Sequence, residues 1–377
     1  MGSAPSVEAP ITDSLHSLLE QENVDWERVT RVLRDEPEQA CLYAHSIDPS
    51  QLQVSLTKSP PHIVVSLFID AYEDSIWHTD QYGDTVVHAC VNSVPSCLNS
   101  LEILLQHRSD LASQSNHERK LPLHMNIRDL DAAKCLLQQY PIGVTQRDSK
   151  GRLPLHCILS RDDDEQIATD VAQLLMDAMD GRIIVRDKRG VTPVDLICQK
   201  LNVILQEEIP LSWEGIELWE LLLHLIRRNV RTAEPNTELH TIIHLTCPFH
   251  VVSYAIRQFP SQTFHRDRLG RTPLHIASTQ PHASNDVIRE LVQASPEAAR
   301  MKDQEGRLAI DLAAEHGNDP QVLEILIMAE PRAVDTRDLR DKRYPFIAAA
   351  LGKHETVTTT YLLLRAKPHV ISYFHET

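Results

Sequence analysis

One phrase, returning at nearly constant intervals, constrains this chain more than anything else in it. It is clearest as Asp267-Arg268-Leu269-Gly270-Arg271-Thr272-Pro273-Leu274-His275-Ile276-Ala277. It returns as Asp148-Ser149-Lys150-Gly151-Arg152-Leu153-Pro154-Leu155-His156, then as Asp187-Lys188-Arg189-Gly190-Val191-Thr192-Pro193-Val194-Asp195. A fourth copy is Asp303-Gln304-Glu305-Gly306-Arg307-Leu308-Ala309-Ile310-Asp311. Weaker copies end at Thr85-Val86-Val87-His88, Leu121-Pro122-Leu123-His124 and Thr241-Ile242-Ile243-His244. With the Thr or Leu as anchor, the series is Ser50, Thr85, Leu121, Leu153, Thr192, Thr241, Thr272, Leu308 and Tyr344, at spacings of 35, 36, 32, 39, 49, 31, 36 and 36. Seven of these nine anchors have Asp or Asn five residues earlier, and five have His three residues later. A register kept that often makes the chain a repeat array, not two or three independent globular domains.

The residue types explain the unit. Thr before Pro, as in Thr272-Pro273, starts a helix: the Thr oxygen caps free N–H groups and Pro has φ pre-set for the first helical position. Five of the eleven glycines (Gly83, Gly151, Gly190, Gly270, Gly306) stand two residues before an anchor, which points to a turn needing φ > 0. The Asp three residues before each can bond its own turn backbone. Apolar stretches downstream, such as Val287-Ile288-Arg289-Glu290-Leu291-Val292, have the spacing of one helix face. Pro141, Pro260, Pro296 and Pro331 end this second helix. No strand pattern of alternating β-branched residues is present, so the expected fold is all-α.

This unit resembles the ankyrin repeat, whose hallmark stands here as Thr272-Pro273-Leu274-His275-Ile276-Ala277. The resemblance covers about residues 45–370 and implies a solenoid of paired antiparallel helices, about nine units in all. It also implies that the His of the phrase (His88, His124, His156, His244, His275) bonds neighbouring backbone and ties adjacent units together. Residues 13–44, with Leu15, Leu18, Leu19, Trp26, Val29, Val32 and Leu33, suit an N-terminal helical cap. Residues 1–12 are expected to be disordered and 371–377 to form a tail.

Composition narrows function. Asp+Glu (53) exceeds Lys+Arg (37), so the net charge is −16, which argues against general nucleic-acid binding. No stretch is long and apolar enough to span a membrane, and no secretory signal is expected. Seven scattered Cys without a Cys-x-x-Cys pair read as reduced thiols in a cytoplasmic or nuclear protein. Met1-Gly2-Ser3-Ala4-Pro5-Ser6 fits the loose myristoylation pattern at Gly2, but Lys and Arg are lacking nearby, so it is read as a chance match, a weak anchor being the alternative.

Twenty His invite a metal hypothesis, but one His per repeat cannot converge on one ion, and no His-Glu-x-x-His is present. The sequence also lacks nucleophile-elbow, phosphate-loop and dinucleotide motifs. His156 and Cys157 are neighbours that point different ways on a helix. The run Asp162-Asp163-Asp164-Glu165 supports a helix N-terminus, with a cation site as the minority reading. No metal, cofactor or catalytic residue is expected.

Two features stand out from the scaffold. Windows 146–153, 185–192, 265–272, 301–308 and 337–344 hold 15 Lys/Arg against 7 Asp/Glu in an otherwise acidic chain. Arg152, Lys188, Arg189, Arg268, Arg271 and Arg307 belong to this stripe. It is either ordinary solvation of exposed turns or a basic surface for an acidic partner segment. The spacing of 49 implies an insertion near 202–216 containing Ile209 and Trp213, which is either a binding loop or extra core. The function expected is a non-catalytic protein-binding scaffold gripping its partner along the concave loop-tip face. The alternative is a substrate-recognition adaptor of a larger enzyme complex such as a ubiquitin ligase.

Overall fold

The computed structural model describes Leu18, Ser66 and residues 24–35, 79–92, 98–160, 168–179, 184–207, 211–229, 237–280, 284–339, 342–351 and 357–366. The predicted N-terminal disorder, the unit at Ser50, the run at Asp162, Ile209 and the tail at 371–377 lie outside them. Every described element is helical. The chain divides into two compact units, residues 1–193 and 194–377.

The first unit contains α1 (Trp26–Asp35), α2 (Val86–Asn92), α3 (Leu98–His107), α4 (Leu130–Gln139), α5 (Pro154–Leu159) and α6 (Thr169–Ala178). The second contains α7 (Pro193–Glu207, beginning at the boundary), α8 (Trp213–Asn229), α9 (Glu238–His244), α10 (Phe249–Gln258), α11 (Pro273–Ser278), α12 (Asn285–Ala294), α13 (Ala309–Glu315), α14 (Pro320–Ala329), α15 (Pro345–Leu351) and α16 (Val357–Ala366). A tight turn, a short inner helix and a longer outer helix make one repeat. The outer helices bury one stripe each: Leu101, Leu104 and Leu105 in α3, and Val322, Leu323 and Leu326 in α14. Each such side chain contributes about 1.5–3 kcal/mol on leaving water. Adjacent repeats supply the apolar partner that one repeat alone lacks.

The prolines do more than stop a helix. Pro141, Pro260, Pro296 and Pro331 each open a five-residue 3₁₀ turn directly after the outer helix. The third and fourth residues of each turn are buried: Gly143 and Val144, Gln262 and Thr263, Ala298 and Ala299, Ala333 and Val334. Ser109–Ser113 repeats the turn without Pro, burying Leu111 and Ala112.

The unit anchored at Leu121 has the short spacing of 32, and its inner helix shrinks to one 3₁₀ turn, Pro122–His124. The long unit after Thr192 is explained in the opposite way. Its insertion is largely helix: α7 runs for 15 residues and α8 for 17, against 6 in α11 and 10 in α12. Leu201, Leu205, Leu218 and Trp219 are buried, while Val203, Trp213 and Ile216 are exposed, so the added helix is part core and part surface.

Candidate functional site

The turn tips are built the same way each time. Asp148 Oδ1 accepts the N–H groups of Lys150 (2.9 Å) and Arg152 (2.8 Å). Asp80, Asn116, Asp187, Asp267 and Asp303 do the same for residues two and four further on. The turn closes with φ > 0 at the five predicted glycines, from 72° at Gly270 to 85° at Gly190. Arg119 fills the same slot in the Asn116 turn at φ 58°. Successive tips are joined by backbone bonds. His117, Ser149 and Lys188 donate to the carbonyls of Tyr82, Glu118 and Lys150 in the first unit; Gln304 and Leu339 donate to those of Leu269 and Glu305 in the second.

This geometry sorts the basic residues. Arg152, Arg271 and Arg307 each place Nε and Nη2 on the second carboxylate oxygen of their own turn's Asp, at 2.8–3.0 Å. The guanidinium and backbone hold Asp148 and Asp267 below the usual carboxylate range, against burial that acts the other way. These three arginines brace their turns. Lys188, Arg189 and Arg268 are exposed at the tips, as are Arg147, Lys150, Arg186 and Arg266. The Lys188 ammonium also caps the Ser149 carbonyl at 2.7 Å.

Behind the tips runs a series of buried histidines. Nδ1 of His88, His124, His156 and His275 accepts the backbone N–H of Thr85, Leu121, Leu153 and Thr272 at 3.1–3.2 Å. An N–H can only donate, so Nδ1 carries a lone pair and the proton sits on Nε2. Nε2 then donates to the carbonyls of Lys120, Gln146, Val185 and Arg307 in the following repeats. Burial lowers the pKa of all four, that of His124 to about 4. They are neutral struts between repeats.

His244 is not one of them. It lies exposed at the end of α9, and His240 holds the slot, with Nε2 bonded to the Arg271 carbonyl at 3.1 Å. The anchor of this repeat is therefore Thr237, the residue that precedes α9, and not Thr241. The spacings become 45 and 35 instead of 49 and 31. Thr192 is buried before Pro193, as the motif requires, but the His slot there is Asp195; in the next-to-last repeat it is Asp311. Asp311 Oδ2 accepts the Leu308 N–H at 2.8 Å, and burial raises its pKa to about 7.

The nucleophile candidates are poorly set for chemistry. Burial pushes the Cys157 thiol to about 11, and the adjacent His156 has both ring nitrogens on backbone. Cys198 and Cys247 are unbridged, with Sγ atoms 3.3 Å apart; their mutual hydrogen bond and burial raise the Cys198 thiol far above its usual range. Among the described residues no three His, Cys, Asp or Glu side chains cluster to hold a metal ion, and no helix is long and apolar enough to cross a membrane. Trp213 stands exposed at the start of α8.

Turn, inner helix, outer helix and His strut, repeated along each unit, define an all-α repeat protein. More particularly, its repeat is similar to the ankyrin repeat. Residues 269–300 match the family model described as ankyrin repeat, a segment running from the Asp267 turn through α11 and α12. No curated protein sequence matches the chain. Among solved structures, the human ASB11 ankyrin repeat domain is similar at 18% identity, over 66% of this chain and 98% of that one, with a TM-score of 0.34. So is a chain of the Bd0816 predatory endopeptidase from Bdellovibrio bacteriovorus in complex with immunity protein Bd3460, at 15% identity, 67% and 99% coverage and a TM-score of 0.28.

Proposed function

We propose that this protein is a non-catalytic scaffold whose turn tips hold an acidic segment of a partner protein. One observation carries the reading. Asp148 and Asp187 are bonded within their own turns, while Lys150 and Arg189 are exposed beside them and Lys188, also exposed, caps the neighbouring tip's Ser149 carbonyl. The outward field of these tips is positive although the chain carries −16. In the second unit Arg266 and Arg268 stand in the same relation to Asp267. Such charges steer an acidic partner and fix its register more than they add affinity. Unbridged cysteines support a cytoplasmic or nuclear setting.

The test is quantitative capture from native lysate, with the intact chain beside a Lys150→Glu, Lys188→Glu, Arg189→Glu variant. Arg152 and Arg271 are left intact because they brace turns. Partners retained by the intact chain and lost by the variant are the expected result. Equal retention by both sinks the reading.

A further inference from the structure

The exposed end of the long helix pair is a second surface, opposite in charge to the tips. Trp213 is 72% exposed at the first position of α8, and Ile216, on the same side one turn along, is 40% exposed. The indole N–H donates to Glu217 Oε1 at 2.6 Å, which lays the ring along the helix. Trp219, on the same helix, is buried; it meets Tyr254 edge-on at 4.9 Å and stacks on Phe259 at 6.2 Å. The core thus takes one tryptophan and leaves the other outside. At Gly215 a Cβ would collide with Leu211 and crowd Ile204, so that side is already packed without Trp213.

Positions 213, 216, 217 and 220 form one stripe on a helix. Residues 201–226 contain five Glu and neither Lys nor Arg; Glu214 and Glu220 are exposed. Attraction to the helix N-terminus accounts for Glu214. It does not account for a solvent-facing Trp and Ile beside carboxylates a full turn or two further on.

We propose that the stripe of Trp213, Ile216, Glu217 and Glu220 docks a basic segment of a partner protein, one presenting an apolar side chain flanked by Arg. The apolar side chain would cover Ile216. An Arg guanidinium would lie over the indole face, whose edge is already fixed by Glu217, and the carboxylates would supply its counter-charge. An acidic segment is repelled here, so this surface is no extension of the tips, and the proposal stands independently of theirs.

The full chain is titrated with a labelled amphipathic peptide of Leu and Arg, and with its Arg→Glu counterpart, reading anisotropy and the part of the tryptophan emission that Trp213→Ala removes. The basic peptide should bind and quench Trp213, and the acidic one should not. Trp213→Ala should weaken binding about tenfold, as should Glu217→Gln with Glu220→Gln. Lys150→Ser with Arg189→Ser should leave it unchanged. Absence of binding, equal binding of both peptides, or unchanged affinity in the Trp213→Ala and Glu→Gln variants overturns the proposal. So does a concentration-dependent dimer of the free chain that Trp213→Ala abolishes, since that would assign the stripe to a second copy.

Discussion

Asp311→Asn should stabilise this protein, and by an amount that depends on pH. Asp311 occupies a slot that five other repeats give to a buried His, and it is 4% exposed. Its Oδ2 accepts the Leu308 N–H, a bond that an Asn oxygen reproduces. Burial raises its pKa from 3.8 to about 7, so the folded state keeps a proton that the unfolded state has released. Stability is therefore greatest below pH 3.8 and falls as pH rises towards 7. At about 1.36 kcal/mol per pKa unit, the wild type forgoes about 1.5 kcal/mol at pH 5 and about 4 kcal/mol at pH 8. Asn carries no charge and escapes this loss. Urea unfolding followed by circular dichroism at the two pH values should show the gain growing by roughly 2–3 kcal/mol between them. A gain equal at both pH values, or a variant less stable at pH 8, would refute the assignment of a strained, buried acid to this slot.

Four further outcomes are expected. His124 titrates in the opposite sense: its folded pKa of about 4 lies below the unfolded 6.5, so stability is complete above pH 6.5 and about 3 kcal/mol is lost on acidification to pH 4, a loss that His124→Gln should largely remove in pH-dependent melting curves. Gly83→Ala places a Cβ about 2.8 Å from the His117 backbone nitrogen at φ 79° and should cost about 2 kcal/mol or more in urea unfolding. Arg119→Gly relieves a left-handed residue at φ 58° and should add roughly 0.5–1 kcal/mol by the same measure. Arg271→Met removes two bonds to Asp267 Oδ2 and should cost about 1 kcal/mol, most visibly at low salt.

Most of the repeat was legible because its turn leaves chemical marks. A φ above 0 favours Gly, a capped turn takes Asp or Asn, and the strut is most often His; each stands at a fixed phase. The repeat between 230 and 260 was misregistered because Thr241-Ile242-Ile243-His244 mimics the phrase by chance. Its true anchor, Thr237, has neither Asp five residues earlier nor Pro after it. The signal that points to it is His240, which stands three residues after Thr237 as the His stands in the other units. The insertion was harder to read. Leu201, Leu205 and Leu218 in and around it carry helical period, but Pro210 interrupts the pattern, and only the structure shows the long helices α7 and α8 on either side. The charge stripe was legible as composition only. Which arginines are available depends on a carboxylate four residues away, and that pairing is visible in geometry alone.

That pairing changes what a basic repeat tip can recognise. Arg at the fourth position after Asp is the commonest basic residue of the phrase, yet Arg152, Arg271 and Arg307 spend their guanidiniums on Asp148, Asp267 and Asp303. Under the proposed function, recognition would fall to the residues one or two after Asp: Ser149 and Lys150, Lys188 and Arg189, Arg268 and Leu269, Gln304 and Glu305. These positions differ from repeat to repeat while Asp, Gly and the strut stay the same. The framework uses its charges on itself, and the variable pair sets the sign of each tip. Glu305 leaves its repeat less basic than those at Lys150, Arg189 and Arg268, so under the proposed function a partner's acidic groups should be sought opposite those three tips. Exchanging Lys188 and Arg189 with the Gln304 and Glu305 pair would move that preference without touching a single strut. A partner whose affinity survives this exchange is not reading the tips.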